Sequence, residues 1–542
     1  MAKRAFQKIA IIGLGPRGLG ALEALADCAT ARGVRVEVDI FDIYPEPGAG
    51  PNFDPREPRH CLLNTPLREI DLRRPEALDF APFAQWLGRR IGEDDFPPRA
   101  ELGQYLEQRF AKLKDAATTL KIRHYPQQVE SLQRDGATWH VRAGSSTHGP
   151  YAEILMVPGQ PPTRPDDQLA EWKAHAADHG GTLAAAYPAR LLEKAADEWS
   201  GQAVAIRGFA LSSFDVIRVL TVGQGGRFIG GQYVASGREP ACIVPFSIDG
   251  KPPYPKPATG EIDVRYEPTP DETGVFRKAV SKASTGTAEA AQAHLTGALA
   301  SPVSRILATF GTEDSHSAVC DWLGREWSDP GCQEDASALE VLMNGVAMAE
   351  GVSPPSIGYG VGQLWRKWQD PLRQAYNPTD TPPATAAAIV GFDEGLKRYS
   401  YGPPVSACRE LMALMDAGIV STEWARDPDI SPIDTGWQLK VRDRSVTATV
   451  MIDAVLPPPV PQRVESALIC GLIADGNLTT LEDLGAHTAS DGRLIGDDGK
   501  PVQGLSLLGR LALGSVIAAD SLHDCFGASS ERWARGVLSW LY

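Results

Sequence analysis

The sequence predicts an α/β fold built on two strand–turn–helix units, with a mainly helical segment between them. Two apolar strands each run through a glycine-containing turn into a helix, at residues 9–26 and 204–220. A later strand stopped by prolines follows each unit, at 154–157 and at 451–459. The stretch 246–400 instead has helical periodicity between Pro-rich linkers. Together these observations indicate two Rossmann-like domains and a helical insertion.

The first unit, KIAIIGLGPRGLGALEAL, places three glycines between a strand and a helix. Gly13 permits a tight turn, Gly15 leaves room for a pyrophosphate, and Gly18 lets the helix pack closely on the strand. The helix dipole and the free N–H groups at its start attract the anion. A second strand, 34–41, ends on an acidic residue that can meet an adenosine ribose hydroxyl. The predicted dinucleotide-binding residues here are Gly13, Gly15, Pro16, Arg17, Gly18 and Asp42.

The second unit, QAVAIRGFALSSFDVIRVL, is a degenerate version of the same turn. Arg207 stands where a first glycine would, so a purely structural turn remains an open alternative. A strand at 227–234 follows, and the hydroxyl and arginine just past it occupy the position from which the 2′-phosphate of NADP is bound. A solvated surface role is the alternative for that arginine. The predicted binding residues are Gly208, Leu211, Ser212, Ser236 and Arg238.

Near the C-terminus, residues 505–522 read as a strand, two glycines and a helix whose N-terminus can face an anionic or carbonyl group. Gly509 and Gly514 are therefore further candidates for cofactor binding. The predicted division of the chain is a first domain of 1–165 with 445–542, a second of 200–245 with 400–445, and the insertion 246–400.

Composition excludes several classes of function. The net charge of −15 disfavours nucleic-acid or anionic-membrane binding, which both need a basic face. No apolar stretch is long enough to span a bilayer, and the first ten residues do not read as a secretory signal. The eight cysteines lie far apart without metal-binding spacing, which favours reduced thiols in a cytoplasm and no metal site. It also argues against a dithiol–disulfide flavoprotein.

Two dinucleotide units in one chain fit a protein that holds a permanent flavin and a transient nicotinamide donor. The chain resembles the two-dinucleotide-binding-domain flavoproteins, a group that includes flavin-dependent N-monooxygenases of amino acids. The segments that carry the resemblance cover most of the chain in the same order: GLGPRGLGALE (13–23), HCLLNTP (60–66), FPPRAELGQYL (96–106), VAIRGFALSSFDVIRVLTVGQGGRF (204–228), YVASGREP (233–240), YGPP (401–404) and GRLALG (509–514).

The resemblance implies FAD and NADPH as cofactors, and a small amine or amino acid that is N-hydroxylated with O₂. NADPH would reduce the flavin, O₂ would add to form a C4a-hydroperoxide, and a neutral amine would attack the distal oxygen. The resemblance places Asn64 and Thr65 along the isoalloxazine and His60 near it. Asn64 and His60 are thus the catalytic candidates. For His60 the alternative is a loop histidine that bonds backbone.

One segment departs from the group. SIDGKPPY, 247–254, stands where a Ser-Arg-Arg-Gly-like basic run is expected, which disfavours a strongly anionic substrate and leaves Lys251 as the candidate substrate partner. Two alternatives to oxygen transfer stay open: a flavin dehydrogenase or oxidase, and a dinucleotide-binding regulator without turnover. The sequence leaves the oligomeric state and the substrate itself undetermined.

Overall fold

A computed structural model describes residues 7–75, 78–88, 91–312 and 315–542. Residues 1–6, part of the segment predicted to carry no secretory signal, lie outside these ranges. The strands are β1 (Gln7–Ile12), β2 (Val36–Phe41), β3 (Leu120–Tyr125), β4 (Val129–Asp135), β5 (Thr138–Ala143), β6 (Ser146–Tyr151), β7 (Glu153–Met156), β8 (Thr182–Ala185), β9 (Ala203–Arg207), β10 (Arg227–Ile229), β11 (Gln232–Val234), β12 (Cys242–Phe246), β13 (Asp429–Ile433), β14 (Gly436–Val441), β15 (Arg444–Ala448), β16 (Val450–Asp453), β17 (Arg493–Ile495) and β18 (Pro501–Leu507).

Helices alternate with these strands at both ends of the chain and dominate its middle. They are α1 (Pro16–Arg32), α2 (Phe83–Trp86), α3 (Arg99–Ala116), α4 (Asp167–Asp178), α5 (Ala189–Ala196), α6 (Leu211–Leu220), α7 (Gly260–Asp263), α8 (Pro270–Ala283), α9 (Ala288–Thr309), α10 (His316–Ser328), α11 (Ala338–Ala349), α12 (Ile357–Lys367), α13 (Gln369–Tyr376), α14 (Pro383–Ser400), α15 (Val405–Asp416), α16 (Ala467–Ala474), α17 (Leu522–Cys525) and α18 (Ala528–Leu541).

The first sheet has the strand order β17-β18-β7-β1-β2-β3. The pairs from β18 to β3 are parallel, and β17 adds an antiparallel edge. Its central strands are apolar because α1 and α18 cover one face and a second apolar cluster covers the other. The turn after β1 therefore lies at the carboxyl edge of the sheet, where α/β folds bind their ligands.

The second sheet has the order β12-β9-β16-β8, and all its pairs are parallel. The segment 420–426 extends the sheet beyond β12 without forming a regular strand. Its residues 420 and 426 form isolated parallel bridges with Ile243 and Ser247. The sheet takes β8 from outside the predicted second domain, and it takes β16 from a range predicted to belong to the first. Sequence patterns mark strands but not which sheet a strand joins, so the predicted boundaries differ from these pairings.

Two predicted elements are wrong. The segment 227–234 is not a strand of the parallel sheet but the antiparallel hairpin β10–β11, turned at Gly230 and Gly231, whose φ values are +57° and +80°. Consecutive positive φ values are typical of a tight hairpin turn. The helix predicted directly after Gly514 is also absent from the fully described stretch 513–521, and the next helix is α17.

The predicted helical insertion is present as α7 to α14, packed around the buried rings of Trp365 and Trp368. No helix of the described ranges is apolar over a length that could cross a bilayer. In the same ranges no group of three His, Cys, Asp or Glu side chains is placed to hold a metal ion.

Candidate functional site

The first glycine turn joins β1 to α1 with no room for side chains at two of its glycines. Gly13 has φ +99°, and a Cβ there would lie well under 3.0 Å from the carbonyl oxygen of Val157. A Cβ on Gly18 would lie 2.5 Å from the Gly13 oxygen. The Gly13 N–H donates to the Phe41 carbonyl at 2.8 Å, which ties the turn to the end of β2. The strand and helix therefore pack as closely as the sequence predicts.

The start of α1 is open to a ligand. Its N-cap is Gly15, Pro16 is its first residue, and no described side chain caps it, so the free N–H groups and the helix dipole face outward. A Cβ on Gly15 would touch nothing nearer than 3.8 Å. The loop from Gly48 to Gly50 folds over the turn, and Gly48 donates its N–H to Leu14 at 2.7 Å. This cradle fits a pyrophosphate.

Asp42 lies at the turn, as predicted. Its carboxylate accepts hydrogen bonds from the backbone N–H groups of Leu14 and Tyr44, the second at 2.8 Å. Burial raises the pKa of Asp42, while those two N–H groups oppose the rise. The side chain thus stands between the glycine turn and the end of β2, where a ribose would pass.

The C-terminal segment closes round Arg17. The buried Arg17 guanidinium pairs with Asp524 at 2.8 Å and donates to the Ala519 carbonyl at 2.7 Å. A Cβ on Gly509 would lie 3.0 Å from Arg17 Cδ, so the structure brings Gly509 to the first turn. Gly514 lies further along the segment, where its carbonyl accepts from the Tyr376 hydroxyl of α13 at 2.7 Å.

Asn64 and Thr65 lie in the long segment between β2 and α3. The Asn64 carbonyl accepts a hydrogen bond from Lys256 Nζ. His60 faces the second domain instead: its Nε2 lies 3.8 Å from Glu193 Oε1 on α5, and burial lowers its pKa. Asn64 is therefore hydrogen-bonded to a residue of the insertion, whereas His60 contacts α5 of the second domain.

Lys256 is the functional candidate that sequence reasoning missed. It is 5% exposed, and burial lowers its pKa to about 8. It lines a cavity of about 730 Å³ whose other charged residues are Arg59, Arg409, Asp94, Asp95, Glu350 and Glu410. The only sequence signal was a lysine within the Pro-rich run 251–257, which has no periodicity to show the direction of a side chain.

A network of buried charges lies behind Lys256. Arg366 on α12 pairs with Glu69 at 2.7 Å and with Asp263. The Glu69 carboxyl is partly buried, but Arg366, Lys256 and Lys367 together lower its pKa to about 2. Glu69 is therefore ionised at neutral pH and keeps the surrounding cations in place.

The second glycine turn joins β9 to α6 in the same way. Gly208 has φ +106°, and its N–H donates to the Phe246 carbonyl at 2.8 Å. A Cβ there would lie 3.3 Å from Ala454. The helix begins at Leu211, and again no described side chain caps it. Ser212 lies in the first turn of this helix, and Asp215 one turn later accepts a hydrogen bond from the Tyr187 hydroxyl at 2.7 Å.

The other predicted residues of the second site do not meet at this turn. Ser236 and Arg238 follow the hairpin and lie near the amino end of β9, since Gly201 donates to the Glu239 carbonyl at 3.2 Å. Gly208 is at the opposite, carboxyl end of β9. Lys251 follows β12, whose last residue accepts a hydrogen bond from Gly208 of the second turn, whereas Lys256 is the lysine that reaches Asn64.

Comparisons with known proteins agree with this geometry. Residues 10–161 match a family model described as FAD-NAD(P)-binding. A nitrosuccinic acid synthase of Aspergillus oryzae is 32% identical over 43% of this chain, and the aligned region spans only 38% of that relative. An L-aspartate N-monooxygenase (nitrosuccinate-forming) of Streptomyces cremeus is 24% identical over 86% of this chain and 82% of the relative.

The fold is also that of a solved protein. The reduced form of ornithine hydroxylase from Pseudomonas aeruginosa superposes with a TM-score of 0.52 at 13% identity, covering 99% of this chain and all of the other. The predicted resemblance to two-dinucleotide-domain flavoproteins is confirmed, and so is the predicted α/β fold class.

Proposed function

We propose that this protein is a FAD-dependent, NADPH-consuming monooxygenase that N-hydroxylates a small amino acid. The observation that carries the proposal is the presence of two open glycine turns of one design, each at the carboxyl edge of its own parallel sheet. One chain can thereby hold two dinucleotides. The match to an FAD-NAD(P)-binding model supports flavin for the first turn.

Each part of the chain then has a role. The cradle at Gly15 and Gly48 holds the FAD pyrophosphate, and Asp42 accepts from the adenosine ribose. Asn64 and Thr65 line the isoalloxazine, and the second turn takes NADPH. When bound, FAD supplies hydride acceptance and the transfer of one oxygen atom from O₂. The chain supplies orientation and excludes water.

We propose an acidic amino acid, with L-aspartate as the first compound to test. The named relatives act on L-aspartate or form a nitrosuccinic acid. Lys256 lines the cavity and also donates to the Asn64 carbonyl, and its ammonium group can pair with a substrate carboxylate. The segment 247–254, which lacks the expected basic run, begins directly after the strand that contacts the second turn. We therefore assign the substrate carboxylate to Lys256, and the lack of arginines at 247–254 does not argue against an anionic substrate.

The proposal is tested by product stoichiometry. The purified protein is supplied with FAD, NADPH, air and L-aspartate, and NADPH oxidation, hydroxylated or further oxidised aspartate, and H₂O₂ are measured together. We expect an N-oxidised product that accounts for most of the NADPH consumed. Peroxide alone, or turnover only with an artificial acceptor, would instead indicate an oxidase or dehydrogenase. Flavin that NADPH never bleaches would indicate a regulator.

A pair of variants locates the substrate. Lys256→Met should raise the KM for L-aspartate about tenfold or more, the loss expected for one charge-assisted hydrogen bond. Lys282→Met, at an exposed lysine of α8, is the matched control and should leave that KM unchanged. Equal effects of the two variants on the aspartate KM would remove Lys256 from the substrate site.

A further inference from the structure

The two glycine turns are joined to their second strands by the same hydrogen bond. In the first domain Gly13 donates to Phe41, the last residue of β2, and in the second Gly208 donates to Phe246, the last residue of β12, both at 2.8 Å. Because β2 and β12 each lie parallel and adjacent to the strand that carries the turn, they are equivalent. The strand that faces the adenosine in the second domain is therefore β12.

The residue that follows each of these strands also makes an equivalent backbone hydrogen bond. Asp42 donates its N–H to the Tyr125 carbonyl at 3.1 Å, and Ser247 donates its N–H to the Ala425 carbonyl at 2.9 Å. Ser247 thus occupies in the second domain the place that Asp42 occupies in the first. A neutral hydroxyl replaces the carboxylate that would repel a phosphate on the ribose 2′-oxygen.

The nearest carboxylate is already occupied. Asp249 accepts from the Ser247 hydroxyl at 2.7 Å through one oxygen and pairs with Arg398 of α14 through the other. The Ser247 hydroxyl and the Arg398 charge help to hold the pKa of Asp249 below its usual range. Its negative charge is therefore compensated by the insertion and does not face an incoming ligand alone.

Two cations lie near Ser247, and the charge of Lys251 is partly balanced by Glu334 and Asp249. Lys251 follows four residues later, and the backbone of Arg426 forms a parallel β-bridge with that of Ser247 at the edge of the sheet. Neither forms an ion pair with any residue that the structure describes. Ile248, the residue after Ser247, is 85% exposed and offers an apolar surface of the kind on which an adenine ring packs.

We infer that Lys251 and Arg426 bind the 2′-phosphate of NADPH beside Ser247, with Ile248 supporting the adenine. This inference rests on the proposed function only in assigning the second turn to a nicotinamide dinucleotide. It replaces Ser236 and Arg238, which lie at the other end of the sheet. It also makes the second site one that distinguishes NADPH from NADH by a pair of cations.

The test is ligand binding without turnover. Isothermal titration calorimetry measures the dissociation constants of 2′,5′-ADP and of 5′-AMP for the FAD-loaded protein. Lys251→Ala and Arg426→Ala should each weaken 2′,5′-ADP binding about tenfold or more and leave 5′-AMP binding within about twofold. Arg426 is exposed and Lys251 is half-buried, and neither belongs to an apolar cluster, so the variants should retain FAD and thermal stability, which are measured in parallel.

Arg238→Ala is the matched control, because it removes the arginine that the sequence pattern favoured. It should change neither dissociation constant. A loss of 2′,5′-ADP affinity in Arg238→Ala alone, or wild-type protein that binds the two ligands equally, would overturn the inference. Failure of the proposed function would show differently, as missing N-oxidised product in protein that still binds 2′,5′-ADP normally.

Discussion

The two glycine turns share a backbone design but differ in how tightly they are packed. At Gly13 and Gly18 a Cβ would collide with backbone oxygens, whereas at Gly208 it would meet its nearest atoms at 3.3 Å. The position equivalent to Gly18 is Ser213 in the second turn, where its hydroxyl bonds to the Ala210 carbonyl at 2.6 Å. Glycine is thus required in the first turn by strand–helix packing as well as by a ligand.

The largest effect is expected for Gly13→Ala. The new Cβ would overlap the Val157 carbonyl at a positive φ, so the variant should lose about 4 kcal/mol of unfolding free energy or more, together with its FAD. Gly33→Ala is the control, since Gly33 also has positive φ but open space and should cost only about 1 kcal/mol. Urea denaturation measures both, and equal losses would refute the packing argument.

The next largest effect on stability is expected at Glu153, a buried acid whose equivalent position in the second sheet is apolar. Glu153 on β7 pairs in register with Ile9, while the equivalent residue on β16, which faces Val204, is Val450. Burial raises the pKa of Glu153 to about 7. The protonated form therefore stabilises the fold fully below pH 4.5, and this contribution is lost as pH rises through 7.

Glu153→Gln should remove that dependence. Relative to the wild type, its unfolding free energy should rise by about 3 kcal/mol between pH 4.5 and pH 8. Urea melts of both proteins across this range measure the difference, and Val450→Thr serves as a control in the second sheet. A difference that stays constant with pH would show that Glu153 is ionised throughout.

Gly208→Ala should have a smaller effect on stability and a selective one on binding. Strain at positive φ and the 3.3 Å contact with Ala454 should cost about 2 kcal/mol. FAD content should stay at one per chain, while NADPH binding weakens because the turn that faces it is displaced. Flavin absorbance and NADP⁺ titration separate the two, and loss of FAD here would mean that the two sites are not independent.

The smallest structural effect is expected for Gly15→Ala. Its φ of −77° suits any residue, and its nearest atom would lie 3.8 Å from the new Cβ. Stability should therefore fall by less than about 1 kcal/mol, while FAD affinity falls because the Cβ enters the pyrophosphate cradle. Apoprotein melting and FAD titration check this, and unchanged FAD affinity would place the pyrophosphate elsewhere.

The sequence predicted best where one local segment decides the geometry. Gly13, Gly18 and Asp42 lie in one continuous βαβ unit, whose turn and strand lengths fix their meeting. The prediction for the second site is wrong at 227–234. The sequence there reads as one strand, but the Gly230-Gly231 pair within it forms the turn of a hairpin. Because 227–234 is a hairpin, Ser236 and Arg238 lie near the amino end of β9, whereas the glycine turn is at its carboxyl end.

The remaining site residues meet only through tertiary structure. Lys256 reaches Asn64 across 192 residues of sequence from a Pro-rich run that has no period. Arg426 lies beside Ser247 because an irregular segment extends the second sheet, and such a segment has no strand pattern of its own. Sequence periodicity reports which face of an element is buried, not which distant loop it contacts.

The central claim is that the first turn holds FAD and the second delivers reducing equivalents to it. Anaerobic stopped-flow mixing of FAD-loaded protein with NADPH tests this most directly, through the loss of flavin absorbance. The account predicts rapid bleaching that saturates with NADPH in the wild type and is strongly slowed in Gly208→Ala, although both hold one FAD per chain. Protein that binds no FAD, or bleaching unaffected by Gly208→Ala, would contradict it.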